Sequence, residues 1–108
     1  MGLNDSPALT EAVFYILLAL HAPLHGYGIM QRVEAMSAGR VRLAAGTLYG
    51  ALGTMTDKGW IRAVDNGSAG RKKEYVITGA GRDIASAELA RLRELVQNGE
   101  GIMGGAGK

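Results

Sequence analysis

Residues 46–60, GTLYGALGTMTDKGW, decide the fold. Leu48, Leu52 and Met55 recur at i, i+4 and i+7, a spacing that places three apolar side chains on one face of an α-helix. Gly59 terminates that helix, and Trp60-Ile61 opens a β-prone run. The opposite face carries Thr47, Tyr49, Gly50, Gly53 and Thr54, which are small or hydroxyl-bearing. Two glycines inside a helix cost about 1 kcal/mol each relative to alanine. A helix that accepts this cost needs its backbone close to another body, either a second helix or an external partner.

Downstream lies WIRAVDNGSAGRKKEYVIT, residues 60–78. Two β-prone runs, 60–64 and 74–77, flank Asn66-Gly67 and Gly70, which mark a long-tipped hairpin. Its returning side is basic, with Arg71, Lys72 and Lys73. Thr78 reads as the N-cap of a last helix over residues 79–97. There Ala85, Leu89, Leu92 and Val96 repeat at spacings of four, three and four, a heptad-like seam that Ile84 and Leu95 widen. Arg82, Glu88, Arg91, Arg93 and Glu94 are expected on its other faces. The glycine-rich residues 98–108 read as a disordered tail.

Upstream, residues 1–5 read as a loose arm, and Ser6-Pro7 as a helix start. Leu9, Val13, Ile16, Leu17 and Leu20 follow at helical spacing until Pro23, and residues 21–26, HAPLHG, form a turn. A second helix spans 27–36, with Ile29, Met30, Val33 and Met36 as its apolar stripe; Ala38-Gly39 ends it. Residues 40–43, RVRL, alternate charged and apolar side chains and predict one short strand. The fold class is therefore mainly α with a small β-hairpin. Residues 6–78 form a winged helix-turn-helix, and a long C-terminal helix follows. So small a body cannot bury the whole leucine seam. A second copy meeting it across a two-fold axis is the expected solution, with Ile84, Ala85, Leu89, Leu92, Leu95 and Val96 at the contact.

The chain has 108 residues and no cysteine, which makes one domain the default and rules out disulfides and thiolate metal sites. Its apolar runs are too short to span a bilayer, and it carries no signal-peptide pattern, so the cytoplasm is expected. Formal net charge is only +2, but residues 40–73 hold seven of the twelve basic residues against Asp57 and Asp65 alone. A polyanionic partner would suit that imbalance, and a solvated surface is the plain alternative. His21 and His25 are four apart, but Pro23 between them keeps them off a shared helix face, so no metal is expected. No nucleophile or nucleotide-loop motif points to an enzyme or a cofactor.

Four segments carry a resemblance: PLHGYGIMQRVE (23–34), RVRLAAGTLYGAL (40–52), KGWI (58–61) and ITGAGR (77–82). Together they resemble the PadR family of transcriptional regulators, in its compact branch with a single C-terminal helix. The resemblance implies a homodimeric repressor that binds operator DNA and is released by a small hydrophobic or aromatic effector. The expected DNA contacts are Tyr27, Arg42, Thr47, Tyr49, Gly50, Gly53, Thr54, Arg71, Lys72 and Lys73. An effector pocket is expected between the subunits, with Phe14, Tyr15 and Leu18 of the first helix on its wall. The alternative is a small-molecule-binding module of the same fold whose DNA binding is weak or lost. Where the family carries Ser-Pro ahead of Gly-Thr-Leu-Tyr, this chain has Ala44-Ala45, so the third helix lacks its cap.

Overall fold

A computed structural model describes residues 8–64 and 73–104. Its elements run α1 (Glu11–Ala19), β1 (Leu24–His25), α2 (Gly26–Met36), α3 (Ala45–Asp57), β2 (Ile61–Val64), β3 (Glu74–Ile77) and α4 (Gly79–Met103). Among the described residues the strands form one antiparallel sheet in the order β1-β3-β2. Ile61 faces Ile77 and Val64 faces Glu74, so β2 and β3 are the two arms of the expected hairpin. The wing tip, with Arg71 and Lys72, lies outside the described residues, as does the arm before residue 8.

One apolar cluster holds these elements together. Ile16, Leu17 and Leu20 come from the first helix and its end, Ile29 and Val33 from α2, and Leu48, Leu52 and Met55 from α3. Ile61, Ile77 and Ala85 close the cluster from the sheet and from α4. Every predicted core position of α3 is thus buried. Truncating one such residue, Leu52→Ala for example, costs about 2–5 kcal/mol. The Ile77 N–H donates to the Leu20 carbonyl at 2.8 Å, tying the returning strand to the end of α1.

Several expectations are corrected. Residues 8–10 are not helical; α1 starts after Thr10, whose Oγ1 accepts the Val13 N–H at 3.1 Å. Thr10 offers the same capping chemistry as a serine and sits directly before the acidic first turn, which favours it. The turn at 21–26 contains β1, which pairs with Tyr75 and Glu74; two residues are too few to show a strand period. Residues 41–44 form no strand. Val41 and Leu43 do pack inward, so their alternation reports burial without a ladder partner. The buried Ser37 shapes this connection, its Oγ accepting the Val41 N–H at 2.9 Å.

The largest correction concerns the tail. Residues 98–103 continue α4, giving a helix of 25 residues, and Gly104 closes it in the left-handed conformation with φ 70°. Extending a helix already formed adds hydrogen bonds without a new nucleation cost, which offsets the glycines at 99 and 101. Residues 105–108 lie outside the described residues. At its other end α4 starts as expected: Thr78 Oγ1 accepts the Gly81 N–H at 3.1 Å and donates to the Gly59 carbonyl at 2.6 Å.

Candidate nucleic-acid interface and cleft

Among the described residues the α3 helix is held by one face and bare on the other. Thr47, Tyr49, Gly50, Gly53 and Thr54 are all exposed, opposite the buried Leu48, Leu52 and Met55. A Cβ built on Gly50 or Gly53 would meet nothing within 4 Å. The same is true of Gly46, which lies on the same side one turn earlier and which the sequence reading passed over. These glycines therefore do not serve helix–helix packing among the described residues. The N-cap of α3 is Ala44, which makes no side-chain capping bond. The orphan N–H group that a serine cap would satisfy is left to solvent or a ligand.

Tyr49 differs from its neighbours. Its phenol lies against Gly26, the buried first residue of α2, and about half of the side chain remains exposed. Next to it, Tyr27 points outward from the same first turn of α2 and is 61% exposed. That turn is capped by His25, whose Nδ1 accepts the Gly28 N–H at 3.2 Å. His21 is occupied elsewhere, its Nδ1 donating to the Leu17 carbonyl at 3.0 Å. The two histidines thus serve the ends of different helices.

The described basic residues of the segment 40–73 differ in their partners. Lys73 is exposed at the start of the returning strand. Arg42 is exposed but stands 3.5 Å from Glu34 of α2, so an incoming phosphate would compete with that carboxylate. Arg40 pairs with Glu11; their hydrogen bond holds the Glu11 carboxyl below the usual carboxylate range and raises Arg40. Trp60 is half-buried against the core, with the Lys58 ammonium 5.4 Å above its ring.

Residues of α1 and α4 bound an open cleft of about 510 Å³. Phe14, Tyr15 and Leu18, expected on the wall of a pocket between subunits, line this cleft within one chain from α1, and Leu92, expected at the dimer contact, faces them from α4. Sequence reasoning missed its polar floor. Glu88, expected on an outer face, is only 5% exposed. Its carboxylate accepts from Arg91 Nε at 3.0 Å and Nη2 at 2.6 Å, and from the Leu9 N–H at 3.4 Å. The Arg91 hydrogen bonds lower the Glu88 pKa, outweighing the opposing effect of burial. The i, i+3 spacing of the two charges was visible in the sequence, but not that they point inward.

The seam of α4 also divides. Ala85, expected at the contact with a second copy, is buried in the domain's own core, and Ile84 is partly buried against that core. Leu89, Leu95 and Val96 are exposed, and the seam runs on to Ile102 and Met103, 86% and 84% exposed. Among the described residues no helix is long and apolar enough to cross a membrane.

Comparison with known proteins places this architecture. Residues 15–87 match the model of the transcriptional regulator PadR-like family. An uncharacterized 37.1 kDa protein in transposon Tn4556 of Streptomyces fradiae is 35% identical over 86 residues. That stretch is 79% of this chain and only 24% of the relative, so the chain spans about a quarter of the relative's length. A PadR family transcription regulator from Clostridium difficile superposes with a TM-score of 0.72 at 23% identity, covering 87% of this chain and 99% of that one. Bordetella bronchiseptica BpsR superposes with a TM-score of 0.67 at 18% identity, covering 92% of this chain and 70% of that one.

Proposed function

Because the chain belongs to the PadR-like family of transcriptional regulators, we propose that it is a sequence-specific DNA-binding regulator, a homodimeric repressor released by a small molecule. The observation that carries this reading is the bare face of α3. Gly46, Gly50 and Gly53 have open space where a Cβ would stand, on a helix whose other face is locked into the core. Nothing inside the described protein repays the helical cost of these glycines. A B-DNA major groove, about 12 Å wide, would accept this slim helix with its backbone close to the bases. Thr47 and Thr54 supply hydroxyls for bases or phosphates and methyls for thymine. This face carries no arginine, so guanine readout is weak and DNA shape contributes more of the specificity.

Tyr27 at the start of α2, Arg42, and the wing residues Arg71, Lys72 and Lys73 grip the phosphates beside each half-site. Two such units, joined through Leu89, Leu95 and Val96 and extended by Ile102 and Met103, would meet two half-sites about one helical turn apart. The apolar cleft beneath Phe14, Tyr15, Leu18 and Leu92 has the volume of a small-molecule site and suits a hydrophobic or aromatic effector. The DNA binding of BpsR, which shares the fold, is regulated by 6-hydroxynicotinic acid.

A mobility-shift assay on the DNA upstream of the protein's own gene tests the reading. Retardation at protein concentrations that leave unrelated duplex free is the expected result. Absence of any shift at low ionic strength would favour a ligand-binding module that has lost DNA.

A further inference from the structure

We propose that Tyr49 is a positioning residue: its phenol, seated on Gly26, sets the angle between α2 and α3. The proposal rests on the DNA-binding reading above and changes what Tyr49 does within it.

The geometry is specific. A Cβ at Gly26 would overlap the phenol oxygen and stand 2.7 Å from Cζ and 3.3 Å from Cε1 of Tyr49. Gly26 is buried, and its φ is not positive, so the backbone itself does not require glycine there. The half-exposed phenol supplies the nearest atoms a methyl there would meet, so Gly26→Ala would push the Tyr49 ring off its seat rather than strain a fixed backbone. The two residues are 23 positions apart in sequence, on the two helices that a helix-turn-helix must hold at a fixed angle.

That angle decides whether the start of α2 reaches the phosphates while α3 lies in the groove. A tilt of roughly 5° moves the far end of a helix about 20 Å long by about 2 Å, enough to break a hydrogen bond to a base. Elsewhere the two helices are joined by a loop in which Ala38 and Gly39 both have positive φ, and by the core residues beneath. The Tyr49–Gly26 contact adds a tie between α3 and the first turn of α2 outside that core.

The test is a cycle of Y49F, Y49A, G26A and the G26A/Y49A double variant. Each is assayed at a temperature where it is fully folded, on operator DNA and on unrelated duplex. Phe keeps the ring on Gly26, so Y49F should bind operator within about twofold of the parent. Y49A and G26A should each lose about tenfold on operator and less on unrelated duplex. The double variant should be no weaker than Y49A, because the new methyl occupies the vacated space. A loss in Y49F equal to that in Y49A would overturn the proposal and assign the hydroxyl to a phosphate. So would losses that add in the double variant, or operator affinity unchanged in both single variants. If the parent chain retards no duplex at all, the DNA reading itself fails, and this proposal with it.

Discussion

Gly81 lies against the backbone of Trp60 so closely that a methyl group at that position would stand 3.0 Å from the Trp60 carbonyl carbon and 2.8 Å from Ile77 Cγ1. The Trp60 carbonyl also accepts the Thr78 N–H at 2.9 Å, so the first turn of α4 is laid directly onto the start of β2. Neither backbone can yield cheaply. Gly81→Ala should therefore destabilise by about 1–3 kcal/mol, as overpacking does, despite alanine's better helix propensity. Chemical denaturation of the variant checks this; an unchanged or raised midpoint would show that α4 can lift off the sheet without cost.

The uncapped start of α3 offers the opposite case. Ala44 already has extended N-cap geometry, with φ −75° and ψ 152°, and lacks only an acceptor. Ala44→Ser with Ala45→Pro should stabilise by about 1 kcal/mol, the serine through the cap and the proline at the first helical position. Thermal melting of the double variant is the measurement.

Glu88 predicts an acid response. Its folded pKa lies below the ordinary glutamate value of 4.5, with the Arg91 hydrogen bonds as the main cause. Such a group contributes stability above its unfolded pKa and loses it as pH falls through the folded one. Between about pH 5 and pH 3 the parent should lose stability more steeply than Glu88→Gln, whose amide does not titrate there. Glu11, lowered by Arg40, acts in the same direction in both proteins and cancels in the comparison. Parallel stability curves would remove Glu88 from the account of acid sensitivity.

Val96 tests the seam. It is exposed and belongs to the part of α4 that does not touch the core. Val96→Glu should convert a dimer to monomers and leave the melting of the isolated domain nearly unchanged, because no core contact is removed. Sedimentation velocity reads the outcome; a fully dimeric variant would place the interface elsewhere.

Much of this architecture was legible in the sequence, and the exceptions share a cause. Leu48, Leu52 and Met55 announced α3 because a helix repeats its buried face locally. Thr78 announced α4 because capping is a three-residue event. The residues of the cleft wall, Phe14, Tyr15 and Leu18, were recoverable as apolar residues of α1. By contrast, the Tyr49–Gly26 contact joins residues far apart in sequence and leaves no local period. Glu88 looked like a solvated charge, since its burial depends on where Leu9 and Arg91 come to lie. Residues 98–103 looked like a glycine-rich tail, because composition does not reveal that an existing helix is being extended. Val41 and Leu43 gave a true signal of burial, while hydrogen-bonded pairing depends on a neighbour that the segment does not have.

The most direct test of the central claim is operator binding by the Gly50→Ala/Gly53→Ala variant. Both methyl groups would enter open space, so the variant should be more stable than the parent by about 1–2 kcal/mol in total. If α3 brings its backbone against DNA, the same methyls should weaken operator binding by about tenfold or more. A stabilised variant with undiminished affinity for operator would contradict the account.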